Sequence, residues 1–402
     1  MARYVIVGGG HAAGQAAASL RQEGFEGEIV IIGDEAHLPY QRPPLSKQYL
    51  SGDQGVDRVL LRAEKFYTDK EITVQLNKTV SAINTADNTV TTASGEVLSY
   101  DKLLIATGTR PRKLNIEGSN LGGIHYLRTI TDVDGIRAEL APGKKLVIVG
   151  GGYIGLEVAA VCKGLGLEVS VLEMESRILQ RVTTPKMSEF YHQLHTDRGV
   201  NLFTETAVTG FSGTDRVAKV NCADGTSLEA DLVIVGIGVI PNIEVAQEAG
   251  LDCDNGIVVD ETCKTSADNI YAAGDCTNHP NPLLDRRLRL ESVPNAMDQA
   301  RVSASQMCGG DKTYAAIPWF WSDQYELKLQ MVGFSTDGDT QTLRGDMASN
   351  KFIVFYSKDG KIVAADAVNN PREFLVAKNL VGKEIDLAVL ADPATELKSL
   401  MS

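Results

Sequence analysis

Cysteine is missing from the first part of this 402-residue chain: the first is Cys162, followed by Cys222, Cys253, Cys263, Cys276 and Cys308. No two of them stand at Cys-x-x-Cys or Cys-x-x-x-x-Cys spacing, so there is no thiol-redox pair or metal knuckle to read. Scattered thiols point to a reducing compartment, and the expected location is the cytoplasm. No run of 18 apolar residues occurs, which argues against a membrane-spanning helix, and the N-terminus reads as a strand rather than a signal peptide. Excess basic charge is lacking too. Lys and Arg total 39 against 52 Asp and Glu, a formal charge of −13 that opposes nucleic-acid binding and adhesion to anionic membranes. What remains is ordinary for a globular protein, 43% hydrophobic and 23% charged, with length enough for roughly two to three domains.

The most informative stretch runs from Leu146 to Glu173. An apolar strand, Leu146–Val149, enters Gly150-x-Gly152-x-x-Gly155, a helix follows through Lys163, and a second strand, Glu168–Leu172, ends on Glu173. Gly150 permits the tight turn, Gly152 lets the backbone approach a pyrophosphate, and Gly155 lets the helix lie close on the sheet. The pyrophosphate then meets the free N–H groups and dipole of the helix N-terminus. Glu173, 23 residues after the first glycine, is placed to bind a ribose 2′-hydroxyl, and its charge favours NAD over NADP. Arg177 and Arg181 nearby weigh the other way.

A second βαβ pattern opens the chain. Tyr4–Val7 leads into Gly8-x-Gly10-x-x-Ala13, then an alanine-rich helix and the strand Glu28–Ile32, with Asp34 or Glu35 in the ribose role. His11 lies inside this phosphate turn with no second ligand nearby, so a helix-start residue is expected and no metal site. Two apolar strands end on small residues, Leu103–Gly108 (closing on Ala106, Thr107 and Gly108) and Leu232–Gly238, and a third run, 270–275, ends on Gly274 and Asp275. This order suggests a dinucleotide domain inserted into another. The expected boundaries are 1–108 and 243–317 for the first domain, 109–242 for the insert, and 318–402 for a C-terminal domain. Ser292 reads as the N-cap of a helix over Val293–Met307. Strands are expected over 327–334, 340–344, 352–356 and 362–368, with a helix over 374–380.

Several segments together resemble the NADH-dependent, FAD-containing ferredoxin reductases of bacterial oxygenase systems, of the putidaredoxin reductase, rubredoxin reductase and dioxygenase ferredoxin reductase types. They are Arg42–Lys47, Ala106–Gly108, Tyr126–Thr129, Gly152–Glu157, Ala273–Cys276, Glu291–Ala296 and Pro318–Gln324, and the resemblance covers essentially the whole chain. It implies an α/β protein of glutathione-reductase-like architecture: two Rossmann-like dinucleotide-binding domains and a C-terminal α/β domain. It also implies FAD contacts at Ala12, Asp34, Arg42, Lys47, Val80, Arg128, Asp275 and Val293. The implied NADH contacts are Gly152, Tyr153, Ile154, Glu157, Glu173 and Gly238.

The resemblance brings Lys47 and Glu157, from different domains, to the flavin N5 region as an ion pair; two solvated charges are the alternative. Asp275 suits ribityl or ribose hydroxyls, and the helix beginning at Val293 would set its dipole at the flavin. Trp321, within the aromatic run 319–321, would line the electron exit. Where related disulfide reductases carry a redox cysteine, this chain reads Pro43-Pro44-Leu45-Ser46-Lys47, so electrons must leave the flavin without a thiol relay. A 2Fe-2S ferredoxin serving a haem-thiolate monooxygenase or a ring-hydroxylating dioxygenase is the expected partner, the chain itself being a monomer or weak homodimer. The alternatives are a rubredoxin reductase, an NADH oxidase, or a non-enzymatic NADH-responsive protein like apoptosis-inducing factor. Arg286, Arg287 and Arg289 form a local basic run that either docks an acidic carrier or pairs internally with Asp285 and Glu291.

Overall fold

Branched apolar residues dominate both five-stranded parallel sheets, as strands buried on two faces require. The computed structural model describes residues 1–401. It divides into two compact units, one of Met1–Arg42, Gly55–Arg110 and Val239–Pro318, the other of Pro43–Gln54, Pro111–Gly238 and the chain from Trp319 onward.

In the first unit the sheet order is Ile270–Ala272, Lys102–Ile105, Arg3–Val7, Glu28–Ile32, Ile72–Gln75. Arg3 pairs with Glu28 and Tyr4 with Lys102, all in parallel register. The alanine-rich helix His11–Gln22 packs against Val293–Met307 through Ala12, Ala13, Ala16 and Ala17 on one side and Ala296, Ala300 and Ala304 on the other. Small side chains let the two backbones come close, and the Tyr4 hydroxyl closes the far end by donating to the Met307 carbonyl at 2.7 Å.

The second unit repeats the arrangement with the order Asn201–Phe203, Glu168–Leu172, Lys145–Val149, Leu232–Val235, Ile124–Tyr126. Its glycine turn leads into the helix Tyr153–Gly164. Beyond it lies a five-stranded antiparallel sheet in the order Trp319–Gln324, Leu327–Gly333, Lys361–Val368, Lys351–Lys358, Thr340–Asp346. The expected C-terminal strands and helix all form, but the aromatic run at 319 also proves to be a strand, at the sheet edge. The segment Pro43–Gln54 belongs to this second unit: the Tyr49 hydroxyl donates to Asp134 at 2.8 Å, on the helix Ile130–Glu139. Among the described residues no helix is long and apolar enough to cross a membrane.

Candidate functional site: two glycine turns and a buried ion pair

Each parallel sheet delivers its first strand into a glycine turn. Gly8 and Gly150 hold φ of +117° and +113°, and a Cβ on either would overlap the carbonyl oxygen of Ala106 or of Gly236 on the adjacent strand end. Only glycine suits these two positions. The next glycine of each turn differs: at Gly10 and Gly152 a Cβ would meet nothing within 4 Å. Both are N-caps of twelve-residue helices and neither cap carries a side-chain hydrogen bond. An open backbone face over uncapped N–H groups fits a pyrophosphate, so the residues present suit a dinucleotide in each unit. In the second turn Gly155 packs on Gly150, where any side chain would overlap; Ala13 holds the corresponding place in the first, buried in the helix contact.

The acids at the strand ends are not equivalent. Gly8 N–H donates to the Ile32 carbonyl and Gly150 N–H to the Leu172 carbonyl, which aligns Glu173 with Gly33. Glu173 is preset on its own turn: one carboxylate oxygen accepts from Gly151 N at 2.8 Å and the other from Glu175 N at 2.9 Å. Each oxygen keeps lone pairs for ribose hydroxyls. In the first unit the Glu35 carboxylate is taken by the Tyr40 hydroxyl and by Arg42 at 2.5 Å, while Asp34 stays exposed. Asp34 is therefore the acid of the two that is open to a ligand, and Arg42 is tied to Glu35. Arg177 does not oppose Glu173. Its guanidinium donates to Thr183 O, Ser188 Oγ and Gln180 O at 2.9, 2.5 and 3.0 Å. Arg181 stands beside Gly238, whose φ is +97°.

Lys47 and Glu157 meet. Lys47 Nζ lies 2.6 Å from Glu157 Oε2, the same oxygen accepts from Ser46 Oγ at 2.5 Å, and Ser322 Oγ donates to Oε1 at 2.7 Å. Glu157 is 4% exposed and Lys47 8%. Both charges lie in the second unit, because Pro43–Gln54 packs there rather than with the segments around it in sequence. Helix and strand periods explain the fit: Tyr153 and Glu157, one turn apart, face Phe320 and Ser322, which alternate on one side of the edge strand. Tyr153 stacks edgewise on Phe320 with centroids 5.4 Å apart, and its hydroxyl contacts Met331 Sδ. Trp321 is on the opposite side, 5.8 Å from Trp319, so the structure does not bring it to the ion pair. Ile154, between them on the helix, is 46% exposed.

The remaining expected residues fall at strand ends and helix starts. Ala106 is buried, and Thr107 exchanges hydrogen bonds with Asn242 at 2.6 and 3.0 Å, fixing the turn that Gly108 continues. Val80 is buried at the start of the strand Val80–Asn84. Arg128 precedes the capping box of Thr129 and Asp132. Gly274 sits against Ala12 and Ala296, at the starts of both first-unit helices, which puts half-buried Asp275 and Val293 in that neighbourhood. Gln299, which the motifs do not reveal, caps this corner: its Oε1 accepts from Gly274 N at 2.7 Å and Thr277 Oγ1 at 2.9 Å, and its buried Nε2 has no partner in the chain. Asn295 Oδ1 is likewise buried and unmatched. Orphaned polar atoms at a helix start suit a polar ligand edge.

The basic run is largely spent on its own chain. Arg287 donates to Asn278 Oδ1 at 3.0 Å, Asn278 O at 2.6 Å and Val259 O at 2.7 Å, and Arg289 pairs with Glu291 at 2.7 Å. Internal pairing, not docking, is what the geometry favours for these two. The double substitution Arg287→Glu with Arg289→Glu is expected to lower stability by about 1–3 kcal/mol, since three carbonyl-type acceptors lose their donor. The ionic-strength dependence of electron delivery to a carrier should match that of the parent protein. A flatter salt profile in a stably folded variant would restore the docking role.

Known families match along the chain: pyridine nucleotide-disulphide oxidoreductase over residues 2–300 and reductase C-terminal over 319–401. A ferredoxin–NAD(P)(+) reductase from a Sphingomonas species is 43% identical, covering 99% of this chain and 97% of that one. Putidaredoxin reductase of Pseudomonas putida is 43% identical, covering 99% and 96%. Among solved structures, the covalent putidaredoxin reductase–putidaredoxin complex superposes with a TM-score of 0.96 at 42% identity, covering 100% of this chain and 98% of that one. With two glycine turns on parallel sheets and a reductase-type C-terminal sheet, the chain belongs to the pyridine nucleotide-disulphide oxidoreductase family.

Proposed function

We propose that this chain is an NADH-dependent FAD reductase of a 2Fe-2S ferredoxin, in the service of a haem-thiolate monooxygenase or ring-hydroxylating dioxygenase. The overall balance is NADH plus two oxidised ferredoxins giving NAD⁺, two reduced ferredoxins and a proton. Bound FAD supplies the exchange of one hydride for two single electrons. The first unit would hold it through Gly8, Gly10, Ala12, Asp34 and Asp275, and the second would hold NADH through Gly150, Gly152, Gly155 and Glu173. Lys47 and Glu157 orient the reacting partners and fix the local charge. The relatives named as ferredoxin–NAD(P)(+) reductase and putidaredoxin reductase, and the solved complex with putidaredoxin, support the choice of carrier. Free thiols and the acidic surface fit the cytoplasm.

The observation that carries this reading is what stands in place of a disulfide. All six cysteines are free, and the stretch that would carry a redox thiol instead supplies Ser46 and Lys47 to Glu157. Cys276 is fully buried, its sulfur near the carbonyls of Ala273 and Ile105 at 3.5 and 3.8 Å, and burial pushes its thiol up from the ordinary range. It is a packed, protonated thiol rather than a nucleophile. Replacing all six by Ser should leave NADH-driven flavin reduction intact in a folded, FAD-loaded variant; losing that step would sink the thiol-free route.

The deciding experiment is NADH-dependent cytochrome c reduction with a panel of purified ferredoxins and rubredoxins. Ferredoxin-dependent turnover is the expected result. Preference for a rubredoxin, rapid oxygen consumption without any carrier, or slow reduction with a long-lived reduced complex would each replace this reading.

A further inference from the structure

We infer that Ser322, backed by Gln324 and His195, is a positioning residue for the Glu157 carboxylate, and that it ties the edge strand of the C-terminal sheet to the hydride side of the reaction. The inference rests on the reductase reading and adds to it a determinant outside the glycine turns and the Lys47–Glu157 pair.

The two oxygens of Glu157 are held differently. Oε2 has Ser46 and Lys47, both from the Pro43–Gln54 segment, whereas Oε1 takes its hydrogen bond from Ser322 Oγ at 2.7 Å. Behind Ser322 the chain of bonds continues. Gln324 Nε2 donates to Ser322 Oγ at 3.3 Å, His195 Nε2 donates to Gln324 Oε1 at 2.8 Å, and the Tyr325 hydroxyl lies 3.2 Å from His195 Nδ1. With Gln324 Nε2 turned to Ser322, its Oε1 can only accept, so His195 Nε2 carries a proton, and the neutral ring leaves Nδ1 to accept from Tyr325. Burial, the main cause, pulls its pKa down to about 4, which agrees. Every donor in the series therefore points toward Glu157. Bonds aligned this way polarise one another and strengthen the last link, a charge-assisted bond to the carboxylate.

Burial makes the arrangement consequential. Ser322, Gln324 and His195 are each at most 1% exposed, so no water stands ready to replace a lost donor. The terminal torsion of a glutamate is broad and two-fold, and once Ser322 is gone the plane of the carboxylate is set only by the bonds at Oε2. Gln324 also interrupts any proton wire, since an amide does not hand protons on; the series orients the carboxylate and does not discharge it.

The test uses the FAD-loaded full chain and the variants Ser322→Ala, Ser322→Thr and Gln324→Met. At saturating NADH, Ser322→Ala is expected to slow flavin reduction about tenfold, the worth of one charge-assisted bond, with the NADH dissociation constant nearly unchanged. Ser322→Thr restores the hydroxyl and the rate; Gln324→Met gives a smaller loss in the same direction. A second readout is independent of turnover: the isotope-edited infrared carboxylate band that disappears in Glu157→Gln. Ser322→Ala should shift that band and Ser322→Thr should leave it in place. An unmoved band, or an unchanged limiting rate in Ser322→Ala, overturns the inference. A parent protein that NADH fails to reduce would instead overturn the reductase reading, while the band still reports whether Ser322 holds Glu157.

Discussion

Lys47→Met slows flavin reduction by about two orders of magnitude at saturating NADH, with at most a few-fold loss in NADH affinity; this is the magnitude expected when a reacting geometry is displaced by an ångström or so. The substitution keeps the length of the side chain and removes its charge. Glu157 is then a carboxylate at 4% exposure with hydroxyl partners only, Ser46 and Ser322. An uncompensated buried charge costs on the order of 3–5 kcal/mol, which the protein relieves by protonating Glu157 or turning it toward solvent. Either response removes the fixed negative charge from the site. Salt should change the parent rate little, because the pair is shielded from counterions. Stopped-flow absorbance of the flavin gives the answer directly. An unchanged limiting rate would mean that the pair only braces the helix Tyr153–Gly164 against Pro43–Gln54.

The second large effect concerns nucleotide choice. The parent protein should prefer NADH to NADPH by about a hundredfold or more in kcat/KM, since Glu173 offers acceptors to a free 2′-hydroxyl and repels a 2′-phosphate. Glu173→Gln separates these contributions. The amide oxygen can still accept from Gly151 N, at the loss of the bond from Glu175 N, while the repulsion is gone. Efficiency with NADH should fall about tenfold and efficiency with NADPH should rise, narrowing the ratio. Arg177 cannot rescue NADPH binding without leaving Thr183, Gln180 and Ser188. Comparable efficiency of the parent protein with the two nucleotides would refute the role of Glu173.

The parts of the site that sequence reveals are those tied to local geometry. Both glycine turns are legible because turn, pyrophosphate approach and helix contact each demand a small residue at a fixed offset. The acids are less so. Sequence spacing suggests Asp34 or Glu35 as the partner of Glu173, but the sheet register aligns Glu173 with Gly33, and Glu35 is drawn off by Tyr40 and Arg42. The Lys47–Glu157 pair is visible only through resemblance, since 110 residues separate its members. Placing Pro43–Gln54 requires contacts such as Tyr49 to Asp134, which leave no periodic trace. Ser322, Gln324 and His195 escape notice for the same reason. The one hint was the alternation Phe320-x-Ser322-x-Gln324, polar residues recurring every second place behind an aromatic, as on a strand face that meets something polar.

That alternation constrains how the chain can change length. The strand Trp319–Gln324 turns at Tyr325 and Glu326 into Leu327, with Gln324 opposite Leu327, so its register is set from the turn backward. Adding one codon inside the strand would exchange its faces upstream of the insertion, sending tryptophans toward Glu157 and the serine outward. Adding two would restore the original faces. Descendants of this gene should therefore vary here by substitution or by paired insertions, and an odd-length change would be tolerated only where a bulge absorbs the extra residue.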